Sequence, residues 1–179
     1  AAAQVIAVSP AVAQYCHDFG ADARVVPNGV NPARFAKPAR HDGPFTVGFL
    51  GTLKPWHDVD TLIDAFALLA PDIADARLLI VGDGPERARL EARLAAVNLT
   101  DRTSFTGAVQ ADEVAGHLGL MSVGVASYRR GQPLYFSPLK LYEYMAAGLP
   151  VIVSQTGGLE MLTADGRFGL SVPPQDPDE

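Results

Sequence analysis

Along this chain, short continuous apolar runs alternate with helical patterns, and glycine or proline stands at most changes of rhythm. A run that is apolar at successive positions must be buried on both faces, and strands of that kind belong to a parallel sheet with helices above and below. Phe45 to Gly51 reads as such a strand, ending in glycine. A helix over Asp58 to Leu69 follows, with Val59, Leu62, Ile63, Phe66 and Leu69 at helical spacing. Arg77 to Gly82 is the next strand. It leads through Asp83-Gly84-Pro85 into a helix from Glu86 to about Val97, with Pro85 at the first helical position. Thr103 to Thr106 and Ser122 to Ser127 read as strands, with a helix over Ala111 to Leu118 between them. Ser137-Pro138 opens a helix ending at Gly148, and Val151 to Val153 and Gly169 to Val172 complete the series. The expectation is an α/β domain of three layers, with a parallel sheet of about six strands counted from Phe45.

Residues 1–44 stand apart from this rhythm. They hold a thin strand (Val5 to Val8), a helix started by Ser9-Pro10 and a short strand (Arg24 to Val26). Asn31 to Pro44 reads as a linker. The expected division is therefore 1–44, the remnant of a preceding domain with its linker, and 45–179, a ligand-binding domain. Asp176-Pro177-Asp178-Glu179 reads as the opening of a helix that is cut off, so the chain is expected to be a piece of a longer protein.

Composition narrows the function. Among 179 residues, 14 Lys and Arg stand against 20 Asp and Glu, a formal charge of −6 that offers no footprint for a nucleic-acid backbone. One cysteine, Cys16, excludes a disulfide framework within the chain and a multi-thiolate zinc site. Its neighbour His17 diverges from it on a helix, which argues against a nucleophilic pair. No apolar run approaches the roughly 18 residues of a membrane span, and with no basic or long apolar stretch in residues 1–6 no signal peptide is expected there. A cytoplasmic location is expected, with peripheral attachment of a parent protein to the cytoplasmic membrane face as the other option.

The segment richest in chemistry is Ser137-Pro138-Leu139-Lys140-Leu141-Tyr142-Glu143. Ser137 is a good N-cap and Pro138 a good first residue, so unpaired N–H groups and the positive dipole end project from the helix start, ready for an anion. Lys140, Glu143 and Ala147 share one face, where a cation can meet phosphate and a carboxylate can accept two hydrogen bonds from a ribose diol. An exposed Lys–Glu pair on a solvated face is the competing reading.

The loop Gly51-Thr52-Leu53-Lys54-Pro55-Trp56-His57 is the second element. In an open α/β sheet, ligands sit beyond the carboxyl ends of the strands, where glycine lets them approach the main chain. Thr52, Lys54 and His57 are candidate donors; the plain alternative is a connecting loop with Trp56 as a packing lid. Asp58-Val59-Asp60 has Asp-x-Asp spacing but opens a helix, where acidic residues answer the dipole, so no metal site is expected. Gly82-Asp83-Gly84 is no dinucleotide fingerprint, since Pro85-Glu86-Arg87 follows.

Taken in order, these motifs resemble the donor-binding C-terminal half of the GT-B glycosyltransferases, in the large retaining group called glycosyltransferase family 4. Val25-Val26-Pro27-Asn28-Gly29-Val30-Asn31 with Phe35 is similar to the family's interdomain segment. Val47 to Gly51, Leu79 to Pro85 and Phe105 to Val109 are similar to its first three βα units. Lys140 with Leu141 to Ile152 is the most specific match, and Thr156 to Glu160 and Gly169 to Pro174 close the pattern.

The resemblance implies a Rossmann-like domain that holds a UDP- or GDP-sugar as substrate, with no cofactor and no metal. It implies transfer of the sugar to a sugar or lipid-linked acceptor held by an N-terminal domain. By it, Glu143 holds the ribose hydroxyls and, with Lys140, forms the catalytic pair. Val109 faces the nucleobase, and Gly51 and Gly82 line the phosphate side with Thr52, Lys54 and His57. Ser137, Leu139 and Lys140 hold the diphosphate, while Pro138 has no N–H to donate. The family's usual first glutamate falls on Tyr135, and its phosphate-loop Arg and Lys fall on Thr52 and His57, with Lys140 and Lys54 as the compensating cations. A nucleotide-sugar epimerase and a non-catalytic nucleotide-sugar-binding module are the alternatives.

Overall fold

Each apolar run becomes a strand. The computed structural model describes residues 4–35, 42–131, 137–163 and 166–179. In chain order the elements are β1 (Val5–Ala7), α1 (Pro10–Asp18), β2 (Ala23–Val25), β3 (Thr46–Leu50), α2 (Val59–Leu69), β4 (Arg77–Val81), α3 (Arg87–Ala96), β5 (Thr103–Phe105), α4 (Val114–Leu118), β6 (Val123–Ala126), α5 (Leu139–Ala146), β7 (Val151–Ser154) and β8 (Gly169–Val172). Short 3-10 turns lie at Pro32–Phe35, Pro55–His57, Thr100–Arg102 and Leu159–Thr163.

Six strands form one parallel sheet in the order β5-β4-β3-β6-β7-β8. The chain builds outward from β3 to β5, then returns to lay β6 against the other side of β3. That reversal is a topological switch point, the place in an open α/β sheet where a crevice forms beyond the carboxyl ends of the strands.

Strand alternation feeds two cores. Val47, Phe49, Leu78, Ile80, Val123 and Val125 pack with α2 and α3 on one face. Leu50, Leu79, Val81, Ala126, Val151 and Val153 pack with α4 and α5 on the other. Tyr144 of α5 bridges the switch point. Its ring lies against Gly124, where a Cβ would come within 2.6 Å of it. Its hydroxyl accepts the Leu50 N–H at 2.7 Å and donates to the Val125 carbonyl at 3.2 Å. β3 and β6 are thereby tied where their own ladder, which ends at Phe49 and Val125, gives out.

Four details differ from the sequence reading. Glu86 N–H donates to the Leu53 carbonyl and Arg87 N–H to that of Gly84, so Pro85 sits in a turn and α3 begins at Arg87. A turn closed between Gln110 and Glu113 delays α4 to Val114. α5 starts at Leu139, with Pro138 in the cap position. The stretch expected as linker contains the turn Pro32–Phe35, whose Phe35 is 2% exposed and packs in the core that holds Leu141 and Tyr144. β1 and β2 pair in parallel as a separate two-stranded sheet with α1 against them, capped by Ser9 as its sequence predicts.

Candidate functional site

The carboxyl ends of β3 and β4 meet in two glycines. Gly51 and Gly82 have φ of +146° and +132°, a region that favours glycine. A Cβ on Gly82 would sit 2.1 Å from the Gly51 carbonyl oxygen. The two loops are stitched by Leu53 N–H to Asp83 O and Gly51 N–H to Val81 O, each 2.9 Å. Gly82 also forms a bridge with Gly107, and its N–H donates to Thr106 Oγ1 at 3.2 Å. The loop carrying Val109 is thereby fixed beside Gly82, with Val109 half-buried against the second core.

Lys140 enters this crevice from the first turn of α5. Only 8% exposed, its Nζ stands 4.2 Å from the centroid of Phe49 and 5.3 Å from that of Tyr128. A Cβ on Gly51 would lie 3.1 Å from Nζ, so the amine rests against the β3 end. Among the described residues Nζ has no hydrogen-bond partner, and the same holds for the buried Ser137 Oγ. Burial pulls the Lys140 pKa from 10.5 down to about 7, with Glu143 opposing. A buried ammonium with no acceptor is costly, and an anionic ligand at this point removes that cost. The solvated-face reading of Lys140 is thus set aside by its burial. Glu143 lies one turn further, half-buried; burial raises its pKa, while Arg34 and Lys140 lower it.

Several expected roles change. Ser137 is not the N-cap: its carbonyl accepts the Leu139 N–H at 2.8 Å, which occupies that donor, and its hydroxyl is buried with no partner among the described residues. Leu139 therefore offers no free N–H, and its side chain is 42% exposed. For His57 the surroundings do not favour the expected donor role. It is buried, its Nδ1 is bonded to the Thr52 carbonyl, and burial with Lys140 nearby pulls its pKa to about 4, leaving the ring neutral. It packs edge-on to Phe49, Trp56 and Tyr128, propping the loop from within. Thr52 contributes that carbonyl and is itself exposed. Lys54 lies over the Trp56 indole at 5.8 Å, at the rim. Tyr135 lies outside the described residues.

Asp58 and Asp60 are held by arginines. Asp58, at φ +48°, accepts the Thr61 hydroxyl at 2.9 Å and faces Arg129 at 3.6 Å. Asp60 receives two bonds from Arg89 and also faces Arg129. Among the described residues no group of three or more His, Cys, Asp or Glu could hold a metal. Sequence reasoning missed Tyr128, Arg129 and Arg34. Only Arg34 has a local sign, as a cation beside the apolar Phe35 of the interdomain pattern. A separate apolar cleft of about 440 Å³, along the α2 side of β6 and β7, contains none of the crevice residues.

The chain is 37% identical over 154 residues to a GDP-mannose-dependent alpha-mannosyltransferase of Mycobacterium tuberculosis, covering 81% of this chain and 37% of that protein. It is 34% identical over 152 residues to the 2-deoxystreptamine glucosyltransferase of Streptomyces kanamyceticus, covering 75% and 37%. The chain thus spans well under half the length of these curated relatives. Among solved structures, sucrose-phosphate synthase from Thermosynechococcus elongatus superposes with a TM-score of 0.78 at 30% identity, over 99% of this chain and 47% of that one. Anabaena HepE in complex with UDP and glucose gives 0.81 at 25%, over 99% and 51%. The fold is the Rossmann-like domain expected for one half of a GT-B protein. No helix among the described residues is long and apolar enough to cross a membrane. The family described as glycosyl transferases group 1 matches residues 44–179, and the chain belongs to it.

Proposed function

We propose that this chain is the donor-binding part of a retaining, metal-independent glycosyltransferase that moves a sugar from a UDP- or GDP-sugar to a hydroxyl acceptor. The observation that carries the reading is Lys140 Nζ, buried and, among the described residues, without a hydrogen-bond acceptor beside the Gly51 turn at the switch point. A diphosphate there supplies the missing acceptor and meets the positive end of α5. Glu143, one turn on, takes the ribose hydroxyls, and the loop from Gly107 to Ala111 covers the base.

In the reaction the bond between the anomeric carbon and the diphosphate oxygen breaks, and a bond to the acceptor hydroxyl oxygen forms on the same face. The hydroxyl proton passes to the departing diphosphate, on whose oxygen negative charge develops. Lys140, the Ser137 hydroxyl and the helix start stabilise that charge, which is electrostatic catalysis by groups fixed before the substrate arrives. These fixed donors take the place of a bridging metal ion, and Asp58 and Asp60 are already engaged by arginines. The acceptor is held by another part of the protein, as the length of the relatives suggests. Relatives named for GDP-mannose and a neighbour holding UDP and glucose support a nucleotide-sugar donor without choosing its base.

Glu143→Ala tests the ribose assignment. Calorimetry is expected to show nucleoside diphosphate binding weakened by about 1.5–3 kcal/mol, the range for hydrogen bonds to a charged group, with inorganic pyrophosphate unaffected. Unchanged nucleotide affinity removes Glu143 from the site.

A further inference from the structure

Arg34 belongs to the segment ahead of the domain, on the turn Pro32–Phe35. That turn is docked: Phe35 is buried with Leu141 and Tyr144, and Val30 and Val109 pack against the same cluster. Arg34 itself is exposed, and its Nη2 donates to the Ala111 carbonyl, across a sequence gap of 77 residues. Its guanidinium also lies 6.0 Å from the Phe35 ring. It forms no direct ion pair with Glu143 among the described residues, yet its charge lowers the pKa of that carboxyl. One side chain thus touches the loop after Gly107 and acts by its charge on the carboxylate of α5.

We propose that Arg34 is a positioning residue of the nucleoside subsite: it ties the Gly107–Ala111 loop to the docked turn and keeps a cation near Glu143. The inference rests on the donor-site reading above. A guanidinium suits both tasks, since its fork holds a carbonyl while its charge stays fixed at every working pH. The charged groups that act on Glu143 are Arg34 from the turn and Lys140 from α5. Arg34 favours the ionised carboxylate, the form that accepts both ribose hydroxyls. Removing it raises the Glu143 pKa, so the acid limb of nucleotide binding moves to higher pH. A loop anchored without electrostatic effect on Glu143 leaves that limb in place.

The test is calorimetry on the wild-type chain, Arg34→Ala, Arg34→Lys and Glu143→Ala, using UDP, GDP and inorganic pyrophosphate across the acid limb. Arg34→Ala is expected to raise the Kd for the bound nucleotide about tenfold. Pyrophosphate binding stays constant, and the acid limb moves upward. Arg34→Lys restores the position of the limb but not the full affinity, because it keeps the charge and loses the fork. Wild-type Kd and acid limb in Arg34→Ala, or an equal loss of pyrophosphate binding, overturns the proposal. If Glu143→Ala binds nucleotide as the wild type does, or neither nucleotide binds the wild type, the donor-site reading fails and takes the proposal with it. If Glu143→Ala is impaired and Arg34→Ala is not, only the proposal fails.

Discussion

A lysine placed among aromatic rings with no acceptor works against folding and in favour of binding, and the two effects separate by pH. Lys140 has a folded pKa of about 7 against 10.5 for an ordinary lysine. Between those values the unfolded chain carries one more proton, so stability rises with pH across that window and the burial penalty is complete below it. Lys140→Met keeps the length of the side chain and removes the charge. Thermal melts should show the variant more stable than the wild type at pH 6–7, with the gap closing toward pH 10. A gap independent of pH contradicts the assigned pKa. The sequence marked Lys140 through its spacing to Glu143 and the helix start, but the same spacing suits a solvated pair. What decides between them is tertiary: Phe49 arrives from β3 and Tyr128 from beyond β6, and neither is a neighbour in sequence. His57 shows the same limit in the other direction. A histidine in a loop beyond a strand end reads as a donor, until Phe49, Trp56 and Tyr128 enclose it and Thr52 takes its Nδ1.

At the scale of elements, the strands were legible because β3, β4 and β6 are apolar on both faces, and their residues divide between two cores as that pattern requires. Boundaries were less legible, since they depend on where N–H groups find partners. Pro85 and Ser137 both carry good helix-start signals, yet the loop carbonyl of Leu53 and the N–H of Leu139 reassign them. The docked turn Pro32–Phe35 was hidden for a related reason: only Phe35 is apolar enough to bury, and its pocket is made by α5 about a hundred residues later. α5 is the element on which the crevice depends, through Tyr144. Tyr144→Phe keeps the ring against Gly124 but leaves the Leu50 N–H unpaired at the switch point. Chemical denaturation should register a loss of about 1–3 kcal/mol, the cost of an unsatisfied buried donor. Nucleotide affinity should fall as well, because Leu50 leads directly into Gly51. A variant as stable as the wild type would show that the β3–β6 junction holds without the hydroxyl.

For the whole molecule, strand order and site coincide. Among the described residues, the order of the six-stranded sheet reverses between β3 and β6, and Gly51, Phe49, Lys140 and Tyr144 all gather there. Family membership accounts for the shared fold, while the cation buried in this crevice comes from α5; in the loop after β3, Thr52 is exposed, His57 is packed among rings and Lys54 lies over Trp56. The proposed role of Lys140, holding a nucleoside diphosphate without the help of a metal, is open to direct measurement. The most direct measurement is calorimetric titration of UDP and GDP into the wild-type chain and Lys140→Met, both in EDTA. One of the two nucleotides is expected to bind the wild type in EDTA, with net proton uptake near pH 8 as the amine becomes charged, and Lys140→Met is expected to lose most of this affinity. Binding that EDTA abolishes, or that Lys140→Met retains in full, contradicts the proposed role.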